Sequence, residues 1–293
     1  MQKLFLLALL LFVLTPGFSQ KTKGKPPKTS SPATTLDLSE ALNQKLVSVS
    51  AEGTGGHEGE SIKLICRNLR GQLLRLRIPQ GLLMDPADSS MQTLVVAQAR
   101  TLSVSSKTPA EVRLKTFCTQ AGDRSPATGT AFAIGAMAPD KLCQLLKYMS
   151  DNGKTDTPAA QSAVWAVTNN EPLAGIDDPD LIKFTASLVG KRVPGYRVQY
   201  ETREVPGQRA ELGKAMLVES SFQYTLAKDE VLSTLLLDTE GKLVKTLRDN
   251  EPAKAGEHRS GLRLQAWNLK RGNYTVRVQT KSGRVIQDID VEF

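Results

Sequence analysis

Histidine and cysteine are scarce in this sequence, two and three residues in 293, and aromatic side chains make up only 5%. His57 and His258 lie far apart in Gly- and Glu-rich stretches and read as exposed loop residues. An imidazole-based metal site or a Ser/His/Asp triad therefore has little to be built from. Past residue 14 no apolar run approaches the about twenty residues that a membrane-spanning helix requires. Gly53-Thr54-Gly55-Gly56 lacks the Gly-Lys-Ser/Thr ending that cradles phosphate and reads as a turn. Asp177, Asp178 and Asp180 are residue types of a calcium site, but Asp178-Pro179 is the arrangement of a helix cap. No metal and no cofactor is expected.

What the sequence does have begins with Met1-Gln2-Lys3, an unbroken apolar run over residues 4–14, and small residues at Gly17 and Ser19. This is the pattern of a cleavable secretory signal over 1–19, removed after Ser19, so the chain is expected in the periplasm, at the cell surface or outside the cell. The net charge is +8, yet Lys3, Lys21, Lys23, Lys25 and Lys28 belong to the leader and the tail behind it, leaving +3 for residues 29–293. A nucleic-acid binder gathers Lys and Arg on a folded face, and no such cluster is visible. The tail, 20–35, has Pro26, Pro27 and Pro32 among Ser and Thr and is expected to be a disordered spacer.

The remaining chain reads as two domains, more than one core usually organises. Apolar spacing predicts a short helix within residues 36–46. Alternation predicts strands at 61–66, 74–78, 93–97, 101–104 and 112–117, with a hairpin turn over 68–71. Helices follow at 139–149, closed by Asn152-Gly153, at 159–167 behind Thr157-Pro158, and at 181–189 behind Asp178-Pro179 and ended by Gly190. Residues 36–200 are thus expected to be an α+β binding domain, an antiparallel sheet under three short helices. A linker is placed at 201–219. Six strand segments between 222 and 293, separated by turn residues, predict a small antiparallel β-sandwich over 220–293.

Residues 222–226, 236–244, 255–258 and 272–278 resemble the immunoglobulin-like fold of flagellar hook-capping proteins and the related C-terminal sorting domains of type IX secretion. The resemblance implies an immunoglobulin-like module used for sorting or surface attachment. The last strand, acidic at Asp288, Asp290 and Glu292 with no basic residue after Arg284, departs from the sorting pattern.

The odd set Cys66, Cys118 and Cys143 allows one disulfide in an oxidising compartment, and Cys118 with Cys143, flanking a loop that ends in a helix, is the expected pair. A second reading rests on Phe117-Cys118 at a strand end and Gln161-Ser-Ala-Val-Trp165 on a helix, which are similar to the two motifs of bacterial surface thioester domains. That resemblance implies condensation of the Cys118 thiol with the Gln161 carboxamide, giving an acylating bond that captures amines, with Trp165 as a wall. From the residues alone, Ala160, Val164 and Trp165 form a core-facing stripe with Gln161 solvated beside it.

The expected function is that of an exported, non-enzymatic binding or structural protein, its partner an unidentified protein or glycan. A covalent adhesin using Cys118 and Gln161 is the alternative, and an extracellular hydrolase working through carboxylates at the sheet rim is the third.

Overall fold

The computed structural model describes residues 35–56, 58–201 and 213–293. The leader expected at 1–19, the tail up to residue 34, and His57 lie outside the described residues. Thr35, counted with the tail, opens strand β1, Thr35–Asp37. Helix α1, Leu38–Asn43, follows, with Leu38 and Ala41 fully buried at helical spacing.

Eight strands then precede the next helix. Seven of these are β2 (Val47–Gly53), β3 (Glu58–Asn68), β4 (Leu74–Ile78), β5 (Leu82–Pro86), β6 (Leu94–Val96), β7 (Arg100–Val104) and β8 (Ala110–Cys118), and the eighth is β9 (Ala131–Met137). The antiparallel sheet expected here closes on itself: β2, β3, β8, β6, β5 and β9 form a six-stranded barrel, with β9 returning to β2 through Ala51 and Phe132. Closure removes the open edges that a flat sheet would leave. A separate sheet, ordered β1-β4-β7, packs its buried Leu74, Leu76 and Ile78 into the same core as Ile62, Leu64 and Leu114 of the barrel. The 68–71 turn is present, with Asn68 Oδ1 accepting from the Arg70 amide at 2.7 Å. It does not make a hairpin, because β3 stays in the barrel while β4 crosses to the second sheet.

Helices α2 (Asp140–Asp151), α3 (Ala159–Thr168) and α4 (Pro179–Val189) cover the outside of the barrel, with a 3-10 turn at Leu173–Gly175 between the last two. Their apolar faces gather over Val95 of β6 and Phe117 of β8. The second half of β8 is therefore buried on both faces, so alternation stops and Thr116, Phe117 and Cys118 are all enclosed. Asp178 caps α4 as its spacing predicts, Oδ1 accepting from Asp180 N at 3.1 Å and Leu181 N at 2.9 Å. Thr157 does not cap α3 with its side chain; its hydroxyl turns back to the Lys154 carbonyl at 2.9 Å.

The C-terminal part has two sheets. One, ordered β10-β11-β14, holds β10 (Tyr196–Tyr200), β11 (Ala215–Leu226) and β14 (Gly256–Gln265). The other, ordered β13-β12-β15-β16, holds β12 (Glu230–Leu237), β13 (Leu243–Ala253), β15 (Asn273–Thr280) and β16 (Val285–Glu292). Val198, Val218 and Leu264 of the first share one core with Leu236, Val276 and Val291 of the second. Tyr196–Tyr200, grouped at the sequence level with the first domain, pairs here with β11, which itself starts inside the expected linker. His258 is not in a loop: it sits on β14, stacked on Tyr224 with ring centroids 5.0 Å apart. Among the described residues no helix is long and apolar enough to cross a membrane.

Candidate functional site

Strand β8 carries the site because its two neighbours stop at different places. On one side β3 accompanies it to Phe117, paired with Glu58; on the other β6 reaches Cys118, paired with Leu94. On the β3 side the main chain of Cys118 has no strand partner among the described residues, and a buried amide left without a partner is costly. Gln161, in the first turns of α3, fills that place. The Cys118 N–H donates to Gln161 Oε1 at 3.0 Å, and Gln161 Nε2 donates to the Cys118 carbonyl at 2.9 Å. The carboxamide acts as one further residue of a strand.

Gln161 is therefore not solvated beside the helix stripe; it is 4% exposed, and Cys118 is fully buried. Trp165, one turn along α3, is buried in the same cluster as Cys118 and Ala121, while its helix neighbours Ala160 and Val164 face the other core. The two sequence motifs are thus brought side by side, across a separation of 43 residues. Along the same line, Lys115 of β8 pairs with Asp156 just ahead of α3, and Asn169 just after it accepts from the Ala121 amide at 3.1 Å. Together these contacts register the helix on the strand above, at and below Cys118.

Other amides surround this point. Gln120 Oε1 accepts from Thr93 N at 2.7 Å, and Gln92, fully buried, donates through Nε2 to the Asp123 carbonyl at 3.0 Å. Gln92 Oε1 has no hydrogen-bond partner among the described residues. The sequence reading missed Gln92, Gln120, Asn169 and the Lys115–Asp156 pair. Gln120 and Asn169 stand just after the two motifs, the only signal the sequence offered, while Gln92 and Lys115 carry none.

No protein-family model and no curated protein matches the chain.

The expected disulfide is not formed. None of the three cysteines is in a disulfide, and Cys118 and Cys143 belong to different layers. Cys118 faces the barrel core, whereas Cys143 is half-buried on α2 under the helical layer, its Sγ 3.3 Å from the Ala138 carbonyl and against Gly81. Burial raises the Cys143 thiol pKa, with the Asp140 charge adding to the effect. Cys66 is fully enclosed in the barrel, and burial pushes its thiol up to about 11. Neither is poised as a thiolate at neutral pH.

Proposed function

We propose that this is an exported binding protein whose barrel-and-helix part captures amine-bearing partners through an internal Cys118–Gln161 thioester, carried on a C-terminal immunoglobulin-like sandwich used for attachment or sorting. One observation carries the reading. The Gln161 carboxamide is held, buried, by both main-chain groups of the residue that bears the thiol. Such a bond must be assembled by positioning and kept from water, and an enclosed site between a barrel and a helix does both.

The chemistry is a simple exchange. The Cys118 sulfur adds to the Gln161 carboxamide carbon, the carbon–nitrogen bond breaks, and the thiol proton leaves with the nitrogen as ammonia. A primary amine of the partner later attacks the thioester carbonyl. A new amide forms on Gln161, and the Cys118 thiol is regenerated by the amine proton. Each molecule reacts once, so the activity is stoichiometric capture rather than turnover. The two facing sheets with a common core and the alternating inward residues of β15 and β16 support the immunoglobulin-like reading of the C-terminal part.

Intact mass tests the proposal. The purified protein is expected to be lighter by one ammonia than the chain between its determined termini, to gain one methylamine on incubation with that amine, and to expose Cys118 to alkylation only afterwards. Cys118→Ala should restore the full mass. A wild-type mass without the ammonia loss sinks the thioester.

A second reading is supported by the satisfied state of both Gln161 polar atoms: the residue is a cross-tie holding α3 on β8 in a non-covalent binding protein. In that case Gln161→Ala leaves the mass otherwise unchanged and lowers stability by about 1–3 kcal/mol, the cost of two stranded main-chain groups.

A further inference from the structure

At one end of the two C-terminal sheets, three turns meet around an open cleft of about 810 Å³. Each turn brings one lysine to it: Lys228 between β11 and β12, Lys254 between β13 and β14, and Lys281 between β15 and β16. The acids there are already committed. Asp229 holds Lys254 Nζ at 2.8 Å and accepts from Ala255 N at 2.9 Å, and Glu230 accepts from Arg284 at 2.8 Å. Among the described residues, neither the Lys228 nor the Lys281 side chain has an acidic or hydrogen-bonding partner. The cleft thus carries two uncommitted positive charges.

The turns are fixed rather than loose. Asp229 ties the first turn to the second, and the Glu230–Arg284 pair and the bond from Lys281 N to the Val231 carbonyl, 2.9 Å, tie the first to the third. The His258 ring, stacked on Tyr224, lies 2.7 Å from the Lys254 carbonyl. Val231, Pro252 and Ala253 give the cleft an apolar wall above the buried Leu226, Leu232 and Val278. A ligand suited to it must be anionic at more than one point, because the uncommitted ammonium groups stand on different turns. It must also offer apolar surface between its charges.

We infer that this cleft binds an acidic polysaccharide, a chain of uronate sugars whose carboxylates meet Lys228 and Lys281 while a ring face lies on Val231 and Pro252. Sugar rings supply flat, partly apolar faces between regularly spaced carboxylates, which an inorganic anion does not. Exposed ion pairs of this kind are weak singly and screened by salt, so the interaction depends on both lysines and on ionic strength. The inference is independent of the Cys118–Gln161 reading, since no residue is shared.

The test is calorimetric titration of the full chain with oligogalacturonate, with neutral malto-oligosaccharide, polyglutamate and inorganic phosphate as comparison probes. Binding is expected for oligogalacturonate alone, weakening as salt is raised. Lys228→Ala/Lys281→Ala should weaken it about tenfold, about 1.4 kcal/mol. The Lys107→Glu/Lys141→Glu control, on exposed lysines outside the cleft, should leave it unchanged. Equal affinity in the cleft variant with unchanged melting temperature overturns the inference. So does polyglutamate or phosphate bound as tightly as the uronate chain, and so does the absence of uronate binding to the wild-type protein.

Discussion

Tyr200 shows how a single group can report on its surroundings. Its hydroxyl is buried without a hydrogen-bond partner among the described residues, and its ring packs against Gly175, where a Cβ would meet Tyr200 Cε2 at 3.0 Å. Burial pushes its pKa up to about 12, only partly offset by Arg271. An ordinary tyrosine ionises near 10, so between pH about 10 and 12 the unfolded chain releases this proton while the folded chain keeps it. Stability contributed by the neutral phenol is complete below pH about 10 and is lost as pH rises through about 12. Tyr200→Phe is therefore expected to raise the melting temperature slightly at neutral pH, by removing a stranded hydroxyl, and to flatten the alkaline decline. Thermal melts from pH 8 to 12 would check both. Residue-level information of this kind was not legible in the sequence. Gln161 is the sharper case: helical periodicity put it beside the buried stripe, and only the packing of α3 on β8 gives it the two main-chain groups of Cys118 to satisfy.

At the level of elements, the helices were the legible part. Capping residues and left-handed glycines mark their ends locally; Gly190 closes α4 at φ 72° and Gly153 follows α2 at φ 65°. Strands fared differently. Those with β-branched or alternating residues, such as β4 and β15, could be read directly. By contrast β9, Ala-Phe-Ala-Ile-Gly-Ala-Met, has weak strand propensity, and β5 contains Asp85-Pro86; neither announces itself. At Gly135 of β9 the chain runs close to β5, since a Cβ there would meet the Asp85 carboxylate and, at 3.1 Å, the Leu83 carbonyl. Partners were less legible still, because barrel closure is decided by contacts distant in sequence.

The start of α4 gives a prediction at this scale. The Lys154 ammonium, 2.6 Å away, and the helix amides hold the Asp178 carboxyl below the usual carboxylate range. A depressed carboxyl contributes stability that is present above its unfolded pKa, about 3.9, and is lost as pH falls through the lower folded value. Asp178→Ala should cost about 1–2 kcal/mol at neutral pH, the usual worth of a cap, and the difference from wild type should shrink below pH about 4. Urea denaturation at pH 7 and pH 3 would measure it. An equal loss at both values would contradict this account.

On the scale of the whole molecule, the helical layer and the C-terminal sheets are joined by more than the chain. Ala174 of the 3-10 turn is buried in the core of the two sheets, Glu171 pairs with Arg271 at 2.9 Å, and Asp177 pairs with Arg197 at 2.8 Å. The two domains expected from the length and patterning of the sequence should therefore unfold together. The only two tryptophans, Trp165 and Trp267, report on either side of this seat. In each single-tryptophan variant, Trp165→Phe or Trp267→Phe, the fluorescence midpoint should coincide with the circular-dichroism midpoint of the same variant. Ala174→Asp, which buries a charge, should cost about 3 kcal/mol or more and separate them. Midpoints already separate in the parent variants would show that the seat does not couple the two parts.

The seating of Ala174 also bears on how the molecule would carry a load. If the proposed thioester forms, the partner ends up covalently attached to Gln161, not to the barrel strand, so tension enters through α3. From α3 the chain runs directly into the turn whose alanine is lodged between the sheets. A pull toward the C-terminal sheets would thus travel along a helix and a plug, with the barrel gripping that helix from the side through Gln161, Asp156 and Asn169.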